Sequence, residues 1–117
     1  VSITPKYSNS LIQIKSSLVC YMSVSGTEGV RTLIARNGTF INDARDVDSG
    51  AHNMHYYNSN IANDHIRLVD DWIDTPSTTS QVTYSIYGSN YLGGSNAMNF
   101  FNGGLQYVHM SLTEIAQ

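Results

Sequence analysis

One cysteine in 117 residues leaves no partner for an intrachain disulfide and too few thiolates for a cysteine-rich zinc site. Charge is scarce too. Asp, Glu, Lys and Arg make up 13% of the chain, about half the share typical of globular proteins. Ser, Thr, Asn and Gly take their place, which suits a secreted or assembly-bound β-protein better than a cytosolic helical enzyme. The six cations, Lys6, Lys15, Arg31, Arg36, Arg45 and Arg67, are scattered, and the net charge is −3. The clustered cationic footprint that nucleic-acid binding needs is missing. No apolar run approaches the ~20 residues of a membrane-spanning helix, so membrane insertion is not expected, and no signal peptide is visible. Helical periodicity is nearly absent, and no internal repeat of the length that marks solenoids occurs. The chain opens at Val1 without methionine and already reads as strand there, as a fragment or processed product would.

Strand alternation is present throughout. Hydrophobic residues reach 41%, enough for a folded core, and the length predicts one domain over residues 1–117. Ile12, Ile14, Leu18, Cys20, Met22 and Val24 share one phase, while Gln13, Lys15, Ser17, Tyr21 and Ser23 share the other. That predicts a long strand with one buried face, in which Cys20 is a small core residue rather than a reactive thiol. Residues 30–36 and 39–42 flank Asn37-Gly38, the favoured pair for a two-residue type I′ turn, and predict a hairpin. Asn37-Gly38-Thr39 also matches the N-glycosylation sequon, but a tight hairpin explains the same residues without a glycan.

In residues 65–74 one alternation cannot bury all the apolar side chains without also burying an aspartate. Ile66, Leu68 and Trp72 share a phase with Asp70, and Val69 and Ile73 share one with Asp71. A bulge at Asp70-Asp71 is expected to relieve this. Pro76 cannot donate to a ladder and stops the strand, Ser77 to Ser80 satisfy the turn locally, and Val82, Tyr84 and Ile86 begin a half-buried strand from Gln81. The last strand is expected over residues 106–115. Two segments stay unassigned, 43–64 and 88–104, apart from a short strand at 97–101. Short strands, turn signals and no helices predict an all-β antiparallel β-sandwich or jelly roll.

Reactive constellations do not assemble well. His52 and His55 are three apart, so on a strand they would face opposite ways, and no third metal ligand is identifiable without several subunits meeting. Asp43, Asp46 and Asp48 before Gly50 miss the spacing of a calcium loop, with Tyr57 where the bidentate glutamate would stand. Asp70, Asp71 and Asp74 have no second carboxylate that can be set across a cleft, and read as a bulge and a turn cap. No Gly-x-Ser-x-Gly elbow exists, and no histidine is tied to a serine. No enzymatic activity, cofactor or metal is therefore expected. The aromatic-polar segments are better candidates. His52, His55, Tyr56, Tyr57, Asn58, Tyr91 and Asn96 combine amphipathic rings with adaptable hydrogen bonding, the chemistry of recognition loops for a glycan or protein surface.

Several pieces, in order, resemble virion structural proteins of tailed bacteriophages, notably fibre-like or knob-like proteins of marine cyanophages and their relatives. They are Val1-Ser2-Ile3-Thr4-Pro5 before a Ser-rich loop and a strand from Leu11, the hairpin Ile34-Ala35-Arg36-Asn37-Gly38-Thr39, and Ile73-Asp74-Thr75-Pro76 with Ser77-Thr78-Thr79-Ser80 and Thr83-Tyr84. The closing Glu114-Ile115-Ala116 after Met110 to Thr113 completes the series. Residues 43–64 and 91–105 depart from the pattern. The resemblance implies the C-terminal head of a longer fibre protein, a compact sandwich, homotrimeric like tumour-necrosis-factor or C1q-type heads, on the surface of the virion. It implies attachment to the host cell surface through a glycan or protein, or else a decoration or adaptor role on a capsid or tail that binds other virion proteins. A lectin-like carbohydrate-binding module is a third reading.

Overall fold

The computed structural model describes residues 1–22, 26–41, 54–59, 64–90, 98–100 and 108–116. Among these the regular structure is all β. The strands are β1 (Ser2–Ile3), β2 (Leu11–Met22), β3 (Gly26–Arg36), β4 (Thr39–Phe40), β5 (Met54–Ser59), β6 (Asp64–Asp74), β7 (Val82–Asn90), β8 (Met98–Phe100) and β9 (His109–Ile115). They form two antiparallel sheets. In the first, β1, β7, β3 and β4 lie in that order, with β5 also on β3. In the second, β6, β2 and β8 lie in order, with β9 also on β2. The chain changes sheet after β1, β2, β5, β6 and β7, the behaviour of a sandwich in which successive strands cap a shared core.

The core follows the alternation. Ile12, Ile14, Leu18 and Cys20 of β2 are buried, as are Ile34 of β3 and Val82 and Tyr84 of β7. Trp72, Met110 and Leu112 pack on this group from β6 and β9. Leu18, Cys20 and Leu68 form a second cluster, closed by Ile66 and Ile86. Full burial of such side chains is worth about 1.5–3 kcal/mol each. Asn37 and Gly38 have φ of 49° and 84°, the positive values that a type I′ turn demands at both central positions. Asn37 Oδ1 accepts from the Thr83 amide at 2.9 Å, and the Asn37 amide donates to Thr83 O at 2.8 Å. The hairpin is thus locked onto β7.

The expected bulge at Asp70-Asp71 is not there. β6 pairs with β2 in one unbroken register, from Ile12 opposite Asp74 to Met22 opposite Asp64. The conflict in the sequence is settled the other way: Asp70 and Asp74 go inside with Leu68, while Val69 and Ile73 remain exposed at 61% and 45%. The physical reason lies on the opposite sheet, which supplies each carboxylate with hydrogen-bond donors. Residues 54–59, within a segment expected to be loop, are strand β5 against the first half of β3. The last strand runs from His109, and the short strand near residue 98 is β8.

Candidate functional site

Of the residues singled out for recognition, His55, Tyr56, Tyr57 and Asn58 sit on β5. They lie opposite Val30, Gly29, Glu28 and Thr27 of β3. They are strand residues, not loop residues, and a paired backbone holds them at fixed spacing. His52, Tyr91 and Asn96 lie outside the described residues, as do Asp43, Asp46 and Asp48. Among the described residues no group of three or more His, Cys, Asp or Glu side chains could hold a metal ion.

The strand pairings give the sandwich two distinct ends. At one end Ile12 is opposite Asp74 and Leu11 opposite Ile115 in the second sheet, and Arg36 is opposite Tyr84 and Ile3 opposite Val82 in the first. The Asn37-Gly38 turn, the crossing at residues 75–81 and the loop at residues 6–10 are here. At the other end Met22 is opposite Asp64, Cys20 opposite Phe100, Val30 opposite Asn90 and Gly26 opposite Ser59. Strand β5 and the described residues on either side of 91–96, Asn90 and Met98, belong to this second end.

What keeps the ends of the two sheets in step is a pair of buried polar ties. Thr32 Oγ1 donates to Asp70 Oδ1 at 2.7 Å, and Ser16 Oγ donates to Asp70 Oδ2 at 3.3 Å. Four residues further along both strands, Arg36 Nη1 sits 3.0 Å from each oxygen of Asp74, and Tyr84 Oη donates to Asp74 Oδ2 at 2.6 Å. The matched spacing, 32 to 36 and 70 to 74, means that β3 and β6 face each other running in the same direction. A slide of one sheet over the other would break both ties, leaving carboxylates unpaired inside the protein. Burial, the Asp74 hydrogen bond and the Asp74 charge push the Tyr84 hydroxyl upward, against an opposing effect of Arg36. These aspartates are occupied as structural acceptors.

Asp71, in contrast, is on the surface. It accepts from Gln13 Nε2 at 2.9 and 3.1 Å and pairs with Lys15 at 3.7 Å. Glu114, which the sequence did not single out, ties the chain's beginning to β9. Its Oε1 accepts from Ser10 Oγ at 2.6 Å and from the Lys6 amide at 2.7 Å. Those bonds, the Ser10 hydroxyl first, hold its carboxyl below the usual carboxylate range. The outer face of the second sheet carries Val69 and Ile73 of β6 and Ile115 of β9, all exposed. Arg67 and Asp71 lie between and beside them on β6, and the Tyr21 and His65 rings are 5.0 Å apart on the same face. Cys20 is buried, which pushes its thiol up to about 11.

No protein family matches the chain, and no curated protein and no solved structure is significantly similar to it.

Proposed function

We propose that the chain is a non-enzymatic head domain of a virion fibre, wound as a jelly roll and assembled as a homotrimer, which attaches the particle to its host's surface. The observation that carries this reading is the division of the sandwich into two ends. The motifs resembling phage fibre proteins gather at one end, around Asn37-Gly38 and residues 75–81. The candidate contact residues of β5 and the described residues on either side of 91–96 are at the other. A rigid β frame that presents variable segments at one end is a recurrent arrangement for recognition. Exposed Val69, Ile73 and Ile115 support packing against neighbouring subunits, and a trimer would multiply weak single contacts through avidity.

Because His55 to Asn58 lie in a paired strand, substitution is a better probe than deletion. Tyr56→Ser, on the phase of β5 opposite to the one that continues through Glu28 to buried Thr32 and Ile34, is expected to leave the oligomer and its melting temperature unchanged while abolishing adsorption of particles to cells. Unchanged adsorption by a correctly folded variant would overturn the assignment of β5 to attachment. Light scattering that finds a monomer across micromolar concentrations would overturn the trimer.

The same exposed apolar residues favour a second reading, a decoration or adaptor domain whose sheet face is seated on another virion protein. A density map of the intact particle separates the two. A protruding, distal position supports attachment, and a seat buried among other proteins supports the adaptor.

A further inference from the structure

β6 is the terminal strand of the second sheet and, among the described residues, pairs with β2 alone. It is 11 residues long, and terminal strands of that length are templates for strand addition unless something blocks them. Its outward phase reads His65, Arg67, Val69, Asp71, Ile73, and all five are exposed. Charged residues on an edge ordinarily discourage pairing. Here their placement is symmetric about Val69, with a cation two residues before it and an anion two residues after.

We infer that β6 is a seam for a second copy of this chain, the two β6 strands pairing antiparallel about a two-fold axis at Val69. In that register Val69 meets Val69 of the partner subunit on the axis. Arg67 lies opposite the partner's Asp71 and Asp71 opposite the partner's Arg67, so two opposite-charge cross-strand pairs flank an apolar centre. Ile73 falls opposite the partner's His65. The choice of register is sharp. Moving the axis by one residue sets Arg67 against valine or isoleucine. Moving it by two places Arg67 or Asp71 on the axis against its own copy, like charge to like charge. On the inner phase Ile66 meets the partner's Trp72, both half-buried in one chain and so able to gain cover. Asp70 meets the partner's Leu68 with its own acceptors already occupied by Thr32 and Ser16.

The seam goes beyond host attachment and does not depend on it. It is two-fold, so sedimentation should report an even number of chains: two, or six where three-fold packing of the proposed head also forms. Asp71→Arg would set two arginines opposite each other at both pairs and weaken association by about tenfold or more. Arg67→Asp combined with Asp71→Arg restores opposite pairs and should restore association, an outcome that simple loss of the exposed Lys15 contact cannot give. Val69→Cys should form a disulfide-linked dimer on mild oxidation, since cross-strand Cα atoms lie about 4.5–5.5 Å apart. Arg67→Cys should not, because its copy is displaced about 13 Å along the strand, beyond the ~7 Å reach of a disulfide. Buried Cys20 stays silent in both. A monomer at every concentration, a trimer that Asp71→Arg leaves untouched, or cross-linking of Arg67→Cys as readily as of Val69→Cys would overturn the seam. None of these results bears on adsorption.

Discussion

Arg36 and Asp74 join the two sheets at one end of the sandwich, a single guanidinium nitrogen lying 3.0 Å from both carboxylate oxygens. Asp74 is nearly buried, and Arg36 keeps 32% of its side chain exposed. Removing the acid therefore strands a cation that water can partly reach, but it also strands the Tyr84 hydroxyl, which water cannot. Asp74→Ala is expected to cost about 3 kcal/mol, read as a lower urea midpoint at unchanged m-value. Arg36→Met should cost as much or more, because it leaves the carboxylate inside with Tyr84 as its main donor. A variant of Asp74 within 0.5 kcal/mol of the parent, ~0.5 being the scatter of surface substitutions, would show the tie to be dispensable.

The second tie has a different signature. Thr32→Val keeps the shape of the side chain but removes the 2.7 Å donor to Asp70, and should destabilise by about 2 kcal/mol. Adding Asp70→Leu to Thr32→Val removes the stranded acceptor as well. The double variant is then expected to be less destabilised than the two single variants predict together. Strict additivity in chemical denaturation would contradict the coupling.

Stability should fall at alkaline pH through two groups. Tyr84 and Cys20 both have folded values above their ordinary values of 10.0 and 9.0, so the folded state holds its protons more tightly. Their contributions are complete below about pH 9 and are lost as the pH rises, from about pH 9 for Cys20 and about pH 10 for Tyr84. Each adds at most about 1.4 kcal/mol per pH unit to the slope. Tyr84→Phe should flatten the upper part of this limb and Cys20→Ala the lower part, measured as unfolding free energy between pH 8 and 11. An alkaline limb identical in Tyr84→Phe would refute the assignment.

Glu114 acts in the opposite direction. Its folded value lies below the ordinary 4.5, so its contribution is present above that pH and disappears as the pH falls through the lowered value. The Lys6 amide, which donates to Glu114, should exchange faster with solvent in Glu114→Gln at neutral pH, and in the parent only below the ordinary carboxylate range. Exchange insensitive to both changes would mean that the loop at residues 6–10 is held by something else.

At the turn, Gly38 has φ of 84°, and a Cβ built there meets nothing within 4 Å. Gly38→Ala carries backbone strain without a clash, so a loss of about 1 kcal/mol is expected, measured by thermal or urea unfolding. A much larger loss would point to a contact that the geometry does not contain.

Much of the frame was legible because the signals were local. Ile12, Ile14, Leu18 and Cys20 repeat every second residue on the buried face, Asn37-Gly38 names its own turn, and Val82 and Tyr84 continue the pattern after Pro76. Asp70 and Asp74 were not legible, since Thr32 and Arg36, which tie them to the opposite sheet, stand on β3, 38 residues away in sequence, with Ser16 of β2 and Tyr84 of β7 as the further donors. A bulge was the local answer to what is a long-range hydrogen-bonding problem. The paired spacings, Thr32 with Arg36 and Asp70 with Asp74, were the available signal. Residues 54–59 hid for another reason: Met-His-Tyr-Tyr-Asn-Ser carries no apolar–polar alternation, and its strand character comes from the backbone of β3. Of the candidate contact residues, four are thereby placed on one strand, while His52, Tyr91 and Asn96 fall outside the described residues.

The matched polar ties also bear on how such a domain can change over generations. Their bonds, the hairpin anchor at Thr83 and the Glu114 clasp use residues of the frame, and none uses β5 or residues 91–96. These bonds therefore leave sequence at that end the freedom to drift, or to be exchanged by recombination with a related domain, without their own geometry being disturbed. Grafting a foreign segment between β7 and β8 is the engineering form of the same freedom.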